Sequence, residues 1–171
     1  IVMGYPYLQK QISKYKDIQK IRNQILFLSQ GTIGKNLSLY AYKFAIANPS
    51  YNIIFKLHPG EFGRWRSQYP ELIKSSELKN FKIIENEENL YKTLASSSYV
   101  FGVYSTAIYE ALESACKVFL VELNGIEDSK YLIENNFVIK VDFNNYDIKK
   151  LLQREMKPYP KGYFFNHKVI N

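Results

Sequence analysis

Six short apolar runs alternate with segments of helical pattern along this chain of 171 residues. We place the runs at residues 25–30, 52–57, 81–84, 99–103, 117–123 and 137–141. None shows the strict polar–apolar alternation of a strand with one face in water, so both faces are expected to be covered. Such strands, separated by helices, are typical of a parallel sheet whose crossovers are right-handed. The sequence therefore predicts an α/β fold: a doubly wound, Rossmann-like, mostly parallel six-stranded sheet with helices on both faces.

The composition is globular and strongly basic. Hydrophobic residues make up 46% of the chain and charged residues 23%, which excludes intrinsic disorder. A formal net charge of +7 favours an anionic partner, such as a nucleotide, a nucleic acid or a phospholipid surface. Cys116 is the single cysteine, so there is no disulfide framework and we expect a buried structural thiol. No apolar run approaches the roughly 18 residues that a membrane-spanning helix needs.

Composition also divides the chain into three parts. Residues 1–23 form a basic amphipathic segment, expected to be a linker or helix from a missing N-terminal domain; attachment to anionic lipid is the alternative. Residues 24–157 carry the strand–helix pattern and are expected to form a Rossmann-like nucleotide-binding domain. Residues 158–171 are a proline-punctuated aromatic tail suited to packing against another domain. Because the chain opens on Ile1 rather than Met, we expect it to be a piece of a longer protein.

The most informative stretch is residues 99–112, where a buried strand turns directly into a helix. Ser105 and Thr106 fall at the turn, where the helix N-terminus offers unpaired N–H groups and partial positive charge. These groups together predict an anion site. Glu110 lies one helical turn after Thr106 on the same face, within reach of a hydroxyl beside the anion. The alternative is that Ser105 only caps the helix and Glu110 is a solvated surface acid.

Two further polar loops are expected at the same edge of the sheet. With strand order 3-2-1-4-5-6, the ligand crevice lies between the first and fourth strands, at their carboxyl ends. The loop after the first strand brings Gly31 and Thr32 there, although it lacks the spacing of a P-loop or a G-x-G-x-x-G fingerprint. A plain strand-to-helix turn is its alternative interpretation. His58, followed by Pro59, ends the second strand, and its ring can donate to phosphate or, alternatively, bond a loop carbonyl.

Two segments resemble the C-terminal half of bacterial GT-B glycosyltransferases. They are residues 55–61 (Phe-Lys-Leu-His-Pro-Gly-Glu) and residues 102–112 (Gly-Val-Tyr-Ser-Thr-Ala-Ile-Tyr-Glu-Ala-Leu). The resemblance is to the group with a His-Pro motif and a later Ser-Ser or Ser-Thr motif. This group includes sialyltransferases, polysialyltransferases, CDP-glycerol glycerophosphotransferases and capsule-synthesis relatives. The spacing Ser105-Thr106-x-x-x-Glu110 is also similar to the nucleotide-binding turn of UDP-N-acetylglucosamine epimerases. The resemblance as a whole covers residues 24–141.

The resemblance implies a role for each matching residue. His58 would contact the nucleotide phosphate and stabilise the leaving group, while Ser105 and Thr106 would bind the same phosphate. An acid in the following helix would hold the ribose, which implies Glu110. With the loops above, the expected nucleotide-binding set is Gly31, Thr32, His58, Pro59, Ser105, Thr106 and Glu110. Because an imidazole, two hydroxyls and a helix N-terminus can stabilise a departing phosphate, no metal or other cofactor is expected.

This resemblance implies the donor-binding half of a glycosyltransferase that makes bacterial surface polysaccharide. Its partners would be a CMP-, CDP- or UDP-linked sugar donor and a missing N-terminal acceptor domain, which would supply the general base. The isolated half is expected to be inactive, and the enzyme to be cytoplasmic, with peripheral contact at the inner face of the cell membrane. Two alternatives stay open: a UDP-sugar epimerase-like domain and a non-catalytic basic Rossmann-like binding module. Nucleic acid is not expected as a partner, because the basic residues are spread along the chain.

Overall fold

A computed structural model describes residues 6–162 and confirms the predicted sheet. The strands are β1 (Ile21–Leu28), β2 (Asn52–Lys56), β3 (Phe81–Ile84), β4 (Ser97–Gly102), β5 (Lys117–Val121) and β6 (Ile139–Val141). All neighbouring pairs are parallel, and the strand order is β3-β2-β1-β4-β5-β6. The order reverses between β1 and β4, so the ligand crevice of such a sheet is expected at their carboxyl ends.

Helices flank the strands throughout the described range. They are α1 (Pro6–Lys14), α2 (Gly34–Ala47), α3 (Trp65–Gln68), α4 (Pro70–Ser75), α5 (Leu90–Ser96), α6 (Thr106–Glu113), α7 (Lys130–Glu134) and α8 (Ile148–Gln153). Two short 3-10 turns lie at Pro59–Glu61 and Ile126–Ser129. None of the helices between residues 6 and 162 is long and apolar enough to cross a membrane.

Apolar residues cover both faces of the sheet, as the continuous strands predict. One face is rich in aromatic rings and packs against α2, α4 and α8; its largest buried rings are Tyr40, Phe27, Phe44, Phe55, Phe101 and Phe119. The ring centroids of Phe27 and Phe101 are only 4.9 Å apart, so aromatic stacking runs along the sheet. The other face is aliphatic and packs against α5, α6 and α7; its buried residues include Leu26, Val100, Ile108, Leu112, Val118 and Leu120.

The first strand begins earlier than the sequence predicts. Ile21 pairs with Ser97, and the Ser98 hydroxyl donates to the Ile21 carbonyl oxygen over 2.8 Å. Residues 21–23 are exposed, so this extension carries no apolar pattern by which it could be recognised. The basic segment 1–23 is therefore part helix and part strand within the described range.

Between the second and third strands, the chain forms short helical pieces rather than one continuous helix. Gly63 adopts a positive φ of 72°, which separates the 3-10 turn Pro59–Glu61 from the short α3. At the other end of the chain, residues 163–171 of the expected tail 158–171 lie outside the described residues.

Candidate functional site

Polar loops after β1, β2 and β4 meet at the carboxyl end of the sheet and line one cavity of about 440 Å³. His58 and Pro59 line it from the β2 loop, and Ser105 and Thr106 line it from the start of α6. A cavity of this size is in the usual range for a small-molecule site. The structure therefore brings together four of the seven residues in the expected nucleotide-binding set.

The N-terminus of α6 is open toward ligands. Ser105 makes no side-chain cap to the helix, so the interpretation of Ser105 as a simple cap is wrong. Among the described residues, neither the Ser105 nor the Thr106 side chain has a hydrogen-bond partner. The first N–H groups of a helix also lack intrahelical partners. Two hydroxyls and these N–H groups are thus available where the helix dipole favours negative charge.

One nitrogen of the His58 ring is hydrogen-bonded within its own turn. Its Nδ1 accepts a hydrogen bond from the backbone N–H of Gly60 over 3.1 Å, which differs from the loop-carbonyl bond considered above. In a neutral imidazole that accepts at Nδ1, the proton is on Nε2. The backbone of His58 is extended (φ −74°, ψ 145°), as expected before a proline. The ring is therefore arranged as a hydrogen-bond donor through Nε2.

Gly31 and Thr32 lie at the crevice between β1 and β4 but do not line the described cavity. The Thr32 hydroxyl instead makes a hydrogen bond with the Tyr104 hydroxyl, which joins the loops after β1 and β4. A Cβ built on Gly31 would lie 3.7 Å from Arg64 Nη2, so this arginine is next to the loop. The contact of Gly31 and Thr32 with a nucleotide stays a prediction.

Glu110 is buried, with only 6% of its surface exposed, so the interpretation as a solvated surface acid is wrong. Its Oε1 accepts a hydrogen bond from the Tyr91 hydroxyl over 3.0 Å. Burial raises the pKa of the Glu110 carboxyl, an effect that the Tyr91 hydrogen bond partly offsets. Glu110 does not line the described cavity, and its role toward a ribose stays a prediction.

Three charged residues that were not expected from the sequence also line the cavity: Lys56, Glu85 and Glu88. Lys56 donates to the backbone carbonyl of Glu85, and burial lowers the pKa of its ammonium group. The Glu85 carboxylate accepts a hydrogen bond from Trp65 Nε1 over 2.7 Å. The available signal was an acidic cluster directly after a strand, but acidic loop residues are too common for that signal to be specific.

One buried acid near the site was also missed. Glu61 has 0% exposure and contacts the backbone of His58 through its carboxyl group. Elsewhere, Cys116 is a buried thiol, as predicted. Within residues 6–162, no three His, Cys, Asp or Glu side chains converge to hold a metal ion.

No model of a known protein family matches this sequence, and no curated protein matches it. Solved structures do match the fold. The UDP-GlcNAc 2-epimerase from Methanocaldococcus jannaschii gives a TM-score of 0.59 at 17% identity, over 88% of this chain and 45% of that one. The same enzyme from Neisseria meningitidis, bound to UDP-GlcNAc, gives 0.55 at 18% identity, over 86% and 39%. The glycosyltransferase SnogD from Streptomyces nogalater gives 0.53 at 13% identity, over 80% and 36%.

The chain spans less than half the length of each of these proteins. At such low identity the likeness concerns the fold, and fold alone does not fix function. The match agrees with the GT-B resemblance of residues 55–61 and 102–112. The chain thus shares its fold with part of each of these proteins.

Proposed function

We propose that this chain is the donor-binding half of a GT-B glycosyltransferase, and that the cavity between His58 and α6 receives the phosphate of a nucleotide sugar. One observation carries the proposal: His58, Ser105 and Thr106 line the same cavity. These residues come from loops far apart in sequence. They converge at the carboxyl end of the sheet, which is where an open α/β sheet binds ligands.

The arrangement suits the stabilisation of a leaving phosphate. Glycosyl transfer breaks the bond between the sugar and the donor phosphate, which then carries additional negative charge. His58 Nε2–H, the two hydroxyls and the first N–H groups of α6 are donors that fit this charge. The helix N–H groups are fixed by the backbone and the His58 ring is held at Nδ1, so these donors need little reorganisation as the charge develops. His58 is the proposed catalytic residue in this half.

The part of the cavity wall that follows β3 has a different chemistry. Glu85 and Glu88 offer carboxylate oxygens, which accept hydrogen bonds from hydroxyl groups. We assign the sugar or ribose hydroxyls of the donor to this wall and the phosphate to the His58 side. A second domain would supply the acceptor site and the general base. The proposed acceptor is a bacterial surface polysaccharide, from the resemblance of residues 55–61 and 102–112.

Calorimetric titration of the chain with CMP, CDP, UDP, GDP and uridine tests the proposal. At least one nucleotide should bind, while uridine, which lacks a phosphate, should bind far more weakly. In His58→Ala the affinity for that nucleotide should fall by about 10-fold to 100-fold, because a hydrogen bond to a charged group is lost. A folded sample that binds none of the four nucleotides would contradict the proposal.

An epimerase built on the same half is distinguished by its product. An epimerase would convert the donor sugar without any acceptor, whereas a transferase would release nucleotide in proportion to the acceptor glycosylated. Product analysis on the complete protein separates the two reactions. For the non-catalytic basic module, binding to polynucleotides with a steep salt dependence is expected instead.

A further inference from the structure

Glu61 is a carboxyl group completely shielded from water beneath the loops of the cavity. Its Oε1 accepts hydrogen bonds from the Ser29 hydroxyl and the Tyr69 hydroxyl, each over 2.8 Å. Its Oε2 accepts from the backbone N–H of His58 over 2.7 Å. Burying a carboxyl group is unfavourable unless its oxygens are hydrogen-bonded, and here both are. Ser29 follows β1, His58 follows β2 and Tyr69 precedes α4. The Glu61 side chain therefore joins three parts of the fold.

The space around this carboxyl group is fully used. A Cβ built on Gly34 would lie 2.0 Å from Glu61 Oε1 and 2.5 Å from the Tyr69 hydroxyl oxygen. The N-terminus of α2 can therefore pass over Glu61 only because residue 34 has no side chain. Burial and the hydrogen bond to Glu61 raise the pKa of Tyr69, which keeps its hydroxyl protonated as a donor. The carboxyl group is thus held from several directions.

This anchoring reaches the His58 ring through a short turn. The Glu61 N–H donates to the His58 carbonyl oxygen over 2.8 Å, while Glu61 Oε2 accepts from the His58 N–H. The turn closed in this way places the Gly60 N–H against His58 Nδ1. A surface turn of three residues needs only a modest cap, worth about 1 kcal/mol. A completely buried acid shared with Ser29 and Tyr69 is more than such a cap requires.

We propose that Glu61 is a positioning residue: its buried carboxyl group anchors the 58–61 turn to β1 and Tyr69, and so presents the His58 Nε2–H to a phosphate in the cavity. The inference that a phosphate binds there rests on the proposed function above. The orientation and tautomer of the ring do not, and they can be measured without any ligand. Glu61 itself touches no ligand in this account and acts through His58.

A double-mutant cycle tests whether Glu61 acts through His58. UDP affinity is measured by calorimetry for the wild type, Glu61→Gln, His58→Ala and the double variant. Glu61→Gln should weaken UDP binding about fivefold, since part of a hydrogen bond to a charged group is lost. In the His58→Ala background the same change should alter affinity by less than about twofold, because coupled residues are not additive. An equal loss in both backgrounds would overturn the proposal.

Glu113→Gln is the matched control, because Glu113 is also buried and accepts the Gly162 N–H over 2.7 Å, but does not line the cavity. It should leave UDP affinity unchanged. Tyr69→Phe is a milder variant in case Glu61→Gln does not fold, since it removes one donor and keeps the Oε2 contact. It should weaken UDP binding in the same direction as Glu61→Gln, and only when His58 is present.

Nitrogen-15 NMR of the His58 ring gives a second readout that requires no nucleotide. In the wild type, Nδ1 should show the shift of an acceptor nitrogen and Nε2 that of a protonated one. Glu61→Gln should produce a mixture of the two tautomers. Proton occupancy at Nδ1 in the wild type, or a ring unaffected by Glu61→Gln, would overturn the positioning role. If no nucleotide binds the wild type, the proposed function fails, and this measurement still decides the role of Glu61.

Discussion

Within residues 6–162, several polar side chains at the amino ends of the strands are hydrogen-bonded within the protein, whereas several at the carboxyl ends are not. At the amino end, Gln24 Nε2 donates to the hydroxyls of Ser96 and Ser97 over 2.8 and 3.0 Å. Lys20 Nζ donates to the carbonyl oxygen of Ser97 over 2.8 Å and lies 3.4 Å from the sulfur of Cys116. The hydrogen bonds of these groups connect β1 to β4 and β5.

At the carboxyl end, the corresponding groups border a cavity. The hydroxyls of Ser105 and Thr106 have no partners among the described residues, and Ser105 does not cap its helix. The His58 ring accepts a hydrogen bond at Nδ1 within its own turn, and its Nε2 has no partner among the described residues. Serine hydroxyls therefore have a structural role at one end and are available for a ligand at the other. We expect substitutions at the amino end to change stability alone, and those at the carboxyl end to change ligand affinity.

The largest effect is expected from Gly34→Ala. It should lower both stability and ligand affinity, and so depart from the rule that each end affects one of them. The added Cβ would lie 2.0 Å from Glu61 Oε1, so the α2 N-terminus or the buried carboxyl group must move. We expect the free energy of unfolding to fall by about 3 kcal/mol, measured by urea denaturation, with weaker UDP binding. Gly31→Ala is the control, because its nearest contact would be an ordinary 3.7 Å and its expected change is within about 0.5 kcal/mol. Equal stability of the two variants would contradict this geometry.

The second effect concerns the amino end alone. Gln24→Ala removes the donor to Ser96 and Ser97 at a site with 7% exposure, so buried acceptors lose their partner. The free energy of unfolding should fall by about 1–3 kcal/mol. UDP affinity, measured by calorimetry under conditions where the variant is folded, should not change. A large loss of affinity would mean that the two ends are coupled.

The third effect concerns the carboxyl end alone. Ser105→Ala should weaken UDP binding about threefold to tenfold, because one hydroxyl donor to the phosphate is lost. Its free energy of unfolding should stay within about 0.5 kcal/mol of wild type, since no cap is removed. Ser76→Ala, at a helix end away from the cavity, is the control and should not affect UDP binding. A stability loss of about 1 kcal/mol in Ser105→Ala would show that Ser105 is a cap after all.

The smallest effect is expected from Glu110→Gln and depends on pH. Burial raises the pKa of Glu110 in the folded protein, so the protonated form is favoured there. Its contribution to stability is complete below the pKa of the unfolded chain and is lost as pH rises through the folded pKa. Glutamine resembles the protonated acid and keeps an oxygen for the Tyr91 hydroxyl. From pH 4 to pH 7, we expect Glu110→Gln to gain stability relative to wild type, by less than about 1 kcal/mol in urea denaturation. A relative loss would contradict the assigned burial.

The sheet and the candidate residues of the polar loops could be predicted from the sequence, but the partners that these loops contact could not. Continuous apolar runs identify strands covered on both faces, and right-handed crossovers limit the topology largely to a doubly wound sheet. His58, Ser105 and Thr106 could be chosen as candidates because strand ends and a helix start are local features, and they line one cavity. Partners distant in the chain could not be identified in this way. The Thr32 hydroxyl is bonded 72 residues away, and Glu110 is bonded 19 residues away.

The burial of Glu61 shows the same limit. Its neighbours in sequence suggest an exposed acid in a polar turn, the usual environment of glutamate. Its two hydroxyl donors are 32 residues before it and 8 residues after it. Only the fold brings these groups together beneath the N-terminus of α2. A buried hydrogen-bond network of this kind is therefore visible only in three dimensions.

The location of a bound nucleotide's phosphate tests the central claim most directly. The measurement is a crystal structure of this chain with UDP, or with whichever of the four nucleotides binds most tightly. We predict phosphate oxygens within about 3 Å of His58 Nε2 and of the Ser105 or Thr106 hydroxyl. A nucleotide bound with its phosphate away from both His58 and the start of α6 would contradict the account.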